Sequence, residues 1–162
     1  MYIGVTGHIR ITSQTKSLIR DALGLALGEV RRQLDGRPIR GLTCLAEGAD
    51  QLFAEALLAA GGSFEVILPA PDYRDRAIRP LNRSAFDALL AQADRCSFAG
   101  DSSSDRAYSL AGRRVLDRSD LLFAVWDGSN ARISGTAEVV AEATSRGIPV
   151  TVIWPPGAAR LP

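Results

Sequence analysis

The sequence predicts an α/β fold, a doubly wound and mainly parallel sheet of about six strands with helices on both faces, in the Rossmann-like manner. Two observations carry this reading. Short stretches rich in β-branched and apolar residues recur along the chain, and the segments between them place apolar residues at helical spacing. The strands also read as nearly continuous apolar runs, the pattern of a parallel sheet covered on both faces.

The strands are predicted at Tyr2 to Thr6, Ile39 to Leu45, Phe64 to Leu68, Cys96 to Ala99, Leu121 to Trp126 and Pro149 to Ile153. The fourth, "RCSFAG", is the shortest signal and carries a serine in mid-run. Leu18, Ala22, Leu25, Val30 and Leu34 define the first helix; Leu52, Ala56, Leu57 and Ala60 define the second. Phe86, Leu89, Leu90 and Ala93 suggest a third, Leu110, Val115 and Leu116 a fourth, and Ala137, Val140, Ala141 and Thr144 a fifth. Ser13 is placed to cap the first helix, Gly61-Gly62 ends the second, and Gly147 with Pro149 ends the last.

A chain of 162 residues fits one domain, here residues 1–155, followed by a loosely held C-terminal tail at 156–162. With 19 Lys+Arg against 18 Asp+Glu, the net charge of +1 gives no bulk signal for nucleic acid or membrane, and neither partner is expected. No apolar run approaches the ~20 residues that cross a bilayer, and no signal peptide is legible, so a cytoplasmic protein is expected. Cys44 and Cys96 are isolated and read as buried, reduced core residues. One histidine builds no Cys/His metal cluster, and no metal or cofactor is expected. Parallel-sheet proteins of this size often pair through a helix face, which makes a homodimer the default.

In an open parallel sheet, ligands bind beyond the carboxyl ends of the strands, where strand order reverses. Four loops there combine glycine or proline with polar groups: "TGHIR", "AEGAD", "PAPDYRDR" and "WDGSNARISGTAE". Glycine lets a backbone approach a ligand, and a following helix offers free N–H groups that favour phosphate. The dinucleotide fingerprint G-x-G-x-x-G is absent, since the first loop gives only Gly4-x-x-Gly7, and the G-x-x-x-x-G-K-[ST] phosphate loop is absent too. The strongest local signal is "SGTAE" at 134–138. Ser134, Gly135 and Thr136 can hold a phosphate with Glu138 in the first helical turn, although an acid there is also what plain helix capping selects. His8, the lone histidine, fits a ligand contact better than a catalyst, because no nucleophile stands at a readable spacing from it.

Together, "GVTGH" at 4–8, "AEGAD" at 46–50, "SDLLFAVWDG" at 119–128 and "SGTAEVV" at 134–140 resemble the SLOG superfamily, which includes the Smf/DprA proteins and the Lonely-guy phosphoribohydrolases. The resemblance runs over nearly the whole chain. It implies a nucleotide or nucleotide-derived ligand held by Gly7, His8, Glu47, Gly48, Asp50, Asp127, Gly128, Ser134, Gly135 and Thr136, with phosphate at the "TGH" and "SGT" loops and sugar hydroxyls at Asp50, Asp127 or Glu47. In the Lonely-guy enzymes a Pro-Gly-Gly-x-Gly-Thr-x-Glu motif and an upstream arginine break an N-glycosidic bond. Matched onto this chain, the catalytic residues would be Glu138 and Arg113, or Arg114 beside it. This chain departs from that pattern, with "DGSNARISGT" replacing the compact proline and glycine run.

Three readings follow: a nucleotide-binding sensor or effector module, a phosphoribohydrolase-type N-glycosidase acting on nucleoside monophosphates, and an interaction module without a small ligand. Arg74, Arg76, Arg79 and Arg83 form a basic loop that either covers an anionic ligand, with Tyr73 stacking on a base, or is a solvated surface loop partly neutralised by Asp72 and Asp75. The solvated loop is the commoner case. Trp126 reads as core and Trp154 has no assigned role.

Overall fold

The computed structural model describes residues 1–129 and 135–161. Its sheet has six parallel strands in the order β4-β3-β2-β1-β5-β6, formed by Tyr2–Gly7 (β1), Arg40–Thr43 (β2), Ser63–Leu68 (β3), Arg95–Phe98 (β4), Leu121–Val125 (β5) and Val150–Val152 (β6). The helices are Ser13–Gln33 (α1), Ala49–Ala59 (α2), Tyr73–Ala77 (α3), Arg83–Leu90 (α4), Asp105–Asp117 (α5) and Gly135–Ser145 (α6). The predicted architecture is the observed one. Strand order reverses between β1 and β5, so the crevice beyond their carboxyl ends is where the fold favours a ligand.

Alternation along the strands sorts the core between the two faces. Phe64, Val66 and Leu68 of β3, with Leu121, Phe123 and Val125 of β5, pack beneath α1, α2 and α4 in the main core. Ile67 and Leu122 point the other way and join two smaller clusters under α5 and α6. The edge strand β4 is largely exposed, which explains its weak apolar signal.

The structure corrects several local expectations. Thr12, not Ser13, caps α1, its side-chain oxygen accepting from the Thr15 N–H at 3.1 Å. The buried stripe of α1 is Thr15, Ile19, Leu23, Leu27 and Val30, whereas Leu25 is 77% exposed. Cys96 is exposed on the edge strand and Cys44 is half-buried, so neither is a fully enclosed core cysteine.

The C-terminal segment is pinned rather than loose. Arg160 pairs with Ile11 in an antiparallel bridge, the Leu161 N–H donates to the Arg10 carbonyl at 3.0 Å, and Thr15 exchanges two hydrogen bonds with the Ala159 backbone.

Candidate functional site

A cavity of about 590 Å³ opens at the carboxyl end of β1, between it and the facing sides of α5 and α6. It brings together Gly7 and His8 from the first loop, Asp50 from the second, Arg113 from α5, and Gly135, Thr136 and Glu138 from the start of α6. Residues separated by more than a hundred positions therefore share one wall. Val125 lies one strand away from Gly7 in the sheet, and the His8 N–H continues that pairing by donating to the Val125 carbonyl at 3.0 Å.

Gly7 is fixed by crowding. A Cβ at that position would stand 2.5 Å from the Ala49 Cβ and 2.6 Å from the Val125 Cβ, closer than packed atoms tolerate. This places His8 against the cavity, where it is 5% exposed and meets the Trp154 ring edge-on at 5.3 Å between centroids. Its Nε2 lies 3.0 Å from Asp127 Oδ1.

Asp127 is not itself a lining residue. It holds two groups that are: His8, and Arg160 at 3.6 Å from Oδ2. Burial pushes its carboxyl upward, but hydrogen bonds from the Ser129 hydroxyl and N–H and from His8 outweigh this and hold it well below the usual carboxylate range. Asp127 is thus an ionised anchor.

The loop after β2 splits the two acids that the sequence grouped. Leu45 takes a positive φ of 52°, unusual for a leucine, with its N–H held by the Thr43 hydroxyl at 2.9 Å. Gly48, at φ 84°, brings its backbone against the first loop so closely that a Cβ would meet the His8 and Ile9 carbonyl oxygens at 2.6 Å. Beyond this turn Asp50 faces the cavity. Burial pushes its carboxyl up to about 6, against hydrogen bonds from the Thr43 hydroxyl and the Cys44 and Ala46 N–H groups. Glu47 points away. Its oxygens accept from the Arg79 N–H and Nε and from Asn82 at 2.6–2.7 Å, and it lines a second cavity with Gly48.

Gly128 adopts φ 77° and lies outside the cavity lining, and Ser134 is outside the described residues. Thr136 is buried, Glu138 is exposed, and a Cβ on Gly135 would find no atom within 4 Å among the described residues. Arg113 stands 3.8 Å from Glu142, one helical turn beyond Glu138.

The sequence reading missed Tyr108, Arg10, Cys44 and Arg160, all lining residues. Tyr108 had a signal. With Ser109, Gly112 and Arg113 it forms one face of α5 at helical spacing. Arg160 had none, because its place depends on the tail returning to the first loop.

The basic loop after β3 is tied to this chain. Arg74 forks onto Asp87, Arg76 pairs with Asp72, Arg79 with Glu47 and Arg83 with Asp75, and Tyr73 is buried against Phe86 and Tyr108. Tyr73 is therefore no free platform for a base.

Fold and cavity together define a Rossmann-like α/β protein with an open crevice at the switch between β1 and β5. No family model and no curated protein matches the sequence. Among solved structures, the chain is similar to DNA processing protein A (DprA) from Streptococcus pneumoniae, with a TM-score of 0.67 and 15% identity over 93% of this chain and 49% of that one. It is also similar to DprA from Helicobacter pylori, studied for its single-stranded DNA binding mode, with a TM-score of 0.65 and 18% identity over 94% and 64% of the two chains. The Moco carrier protein of Chlamydomonas rheinhardtii gives 0.53 and 19%, over 93% and 74%.

The chain spans about half to two thirds of the DprA chains it matches, and at these identities the likeness is one of fold. It agrees with the Rossmann-like fold class read from the strand and helix pattern. It also corrects the expectation that nucleic acid is excluded. A DprA protein with this fold binds single-stranded DNA, so a near-zero net charge rules out no such partner, because local charge around a groove decides binding. Among the described residues, no helix is long and apolar enough to cross a membrane.

Proposed function

We propose that the chain binds a nucleotide or nucleotide-derived ligand in the cavity at the β1–β5 switch point, as a sensor or effector module. The observation that carries this reading is the convergence of Gly7 and His8 with Gly135, Thr136 and Glu138 on one cavity of about 590 Å³, a volume suited to a small organic ligand. The first turn of α6 offers backbone N–H groups to a phosphate, and Arg10, Arg113 and Arg160 on the walls supply positive charge. Asp50 accepts from sugar hydroxyls or an exocyclic amine, and His8, oriented by Asp127, contacts the phosphate end. An interaction module without a ligand would close this space with its own side chains, whereas here it is open.

Calorimetry with nucleoside mono- and diphosphates, cyclic dinucleotides and a single-stranded oligonucleotide tests the reading. Binding by at least one of the nucleotides below millimolar concentration is expected, and Arg113→Ala should weaken it roughly tenfold, the loss of one charge-assisted contact. Absence of binding by every nucleotide at millimolar concentration would overturn it.

A second reading, N-glycosidic cleavage, is favoured by one observation: Glu138 lines the cavity and has no ion-pair partner among the described residues. A carboxylate there would stabilise the oxocarbenium-like state as the base departs. Base release from nucleoside monophosphates, measured by chromatography, should then disappear in Glu138→Gln. Release that persists unchanged removes Glu138 from the chemistry.

A further inference from the structure

The second cavity, about 380 Å³, lies on the other side of the first loop, between the start of α1, the start of α2 and the turn before α4. The two cavities are neighbours that share Ile9, Arg10 and Leu161 as lining residues. The ridge between them is rigid for a loop, because Leu161 donates to the Arg10 carbonyl and Arg160 bridges to Ile11.

The charges of the second cavity are unevenly spent. Arg79 is matched by Glu47, with its Nη2 2.6 Å from Oε2, and Arg20 is matched by Glu55 at 3.1 Å. Arg10 and Lys16 have no ion-pair partner among the described residues, and Lys16 is half-buried. The first turn of α1 contributes no acidic residue to offset them. A half-buried ammonium and an unmatched guanidinium that line one cavity offer it two free positive charges for an anion, and Arg10 is the cation both cavities share.

We infer that the ligand carries two anionic groups, one seated in each cavity, and belongs to the class of linear dinucleotides. Arg10 on the ridge engages both groups, and Lys16 holds the one in the second cavity. This inference rests on the nucleotide reading of the first cavity and extends it. One nucleotide occupies the space beside α6, and the chain of the ligand crosses the ridge at Ile9 and Arg10 so that its second phosphate meets Lys16. Glu47 contributes nothing to the ligand, since its oxygens are already engaged by Arg79 and Asn82.

The test compares adenosine 5′-monophosphate with 5′-phosphorylated diadenylate, and the guanine counterparts of both, by calorimetry at low and moderate salt. The dinucleotide should bind at least roughly tenfold tighter, the gain expected when a second contact becomes intramolecular. Lys16→Ala, and Lys16→Gln as a variant that keeps most of the apolar stem, should remove most of that gain while leaving mononucleotide affinity within about twofold. Arg10→Ala should weaken both ligands.

A mononucleotide that binds while the dinucleotide gains nothing, or a gain that survives both Lys16 variants, overturns the second site and leaves the nucleotide reading standing. Failure of every nucleotide to bind removes both. A twelve-residue single-stranded oligonucleotide that exceeds the dinucleotide by a further factor of about ten would also overturn the dinucleotide assignment, because the groove would then follow a polymer rather than end at Lys16.

Discussion

The two faces of the sheet are built differently. Beneath α1, α2 and α4 lies one continuous apolar core, in which Phe53, Phe64, Phe86 and Phe123 are fully buried and Phe53 meets Phe123 edge-to-face at 6.1 Å between centroids. Under α5 and α6 the core breaks into two small clusters built on Leu42, Ile67 and Val115 and on Leu116, Leu122 and Ala143. The space left between these helices and the carboxyl end of β1 is the main cavity. One face supplies stability, and the other can remain open because of it. The proposed ligand contacts are accordingly drawn from the less tightly packed side, as local stability differences within a fold lead one to expect.

The largest expected effect breaks the packed face. Phe53→Ala removes a fully buried ring from the middle of the main core and should cost about 3–5 kcal/mol of stability, read as a lowered urea midpoint. The matched change on the open face is Val139→Ala, which trims a partly buried side chain at the cavity wall and should cost less than about 1.5 kcal/mol. Equal losses would mean that the two faces are equally dense, and the contrast would fail.

Asp50 sharpens the comparison from the electrostatic side. It belongs to the first turn of α2, on the packed face, yet its carboxyl lines the cavity on the other. With its folded pKa near 6 and an ordinary value of 3.8, the folded protein holds the proton more tightly than the unfolded chain does. The contribution to stability is therefore fully present below about pH 4 and is lost as pH rises through 6. A shift of this size corresponds to about 3 kcal/mol between those limits. In Asp50→Asn that part of the pH dependence should vanish, so the variant gains on the wild type between pH 4.5 and 7.5. Urea midpoints of both proteins at the two pH values measure the difference. Parallel profiles would show that the buried carboxylate is better solvated than its place in the wall implies.

How much was legible follows from the range of each contact. The strands and the parallel sheet were readable because apolar runs and helical spacing are local patterns, and the switch-point rule then pointed to the strand-end loops that carry His8 and Gly135, whereas the strand order and the shared cavity came from the structure. The role of Asp127 was not readable, since its N–H donates to His8 Nε2 and its carboxylate stands against the same nitrogen across 119 positions, which turns a proposed ligand contact into the support of another. In "AEGAD" the two acids sit three positions apart, and only the backbone reversal through Leu45 and Gly48 decides that Asp50 faces the cavity and Glu47 does not. The arginines of the third loop were legible as cations. Their partners Asp87 and Glu47 were not, because pairing depends on how α3 and α4 fold back over α2.

Leu25 gives the smallest expected effect. Helix α1 carries apolar residues around much of its surface, so Leu18, Ala22 and Leu25 form one stripe at helical spacing while Ile19, Leu23 and Leu27 form another. Periodicity alone does not choose between them. The sheet chooses, because a β-covered face must meet the stripe that continues to Thr15 and Val30, which leaves Leu25 turned to solvent. Leu25→Gln should therefore change stability by no more than about 0.5 kcal/mol, against about 2–5 kcal/mol for Leu23→Ala two positions away. Chemical denaturation of both variants separates these outcomes. A large loss at Leu25 would mean that its side chain is covered in solution by something outside this chain, and the outer surface of the packed face would then be an interface rather than a boundary with water.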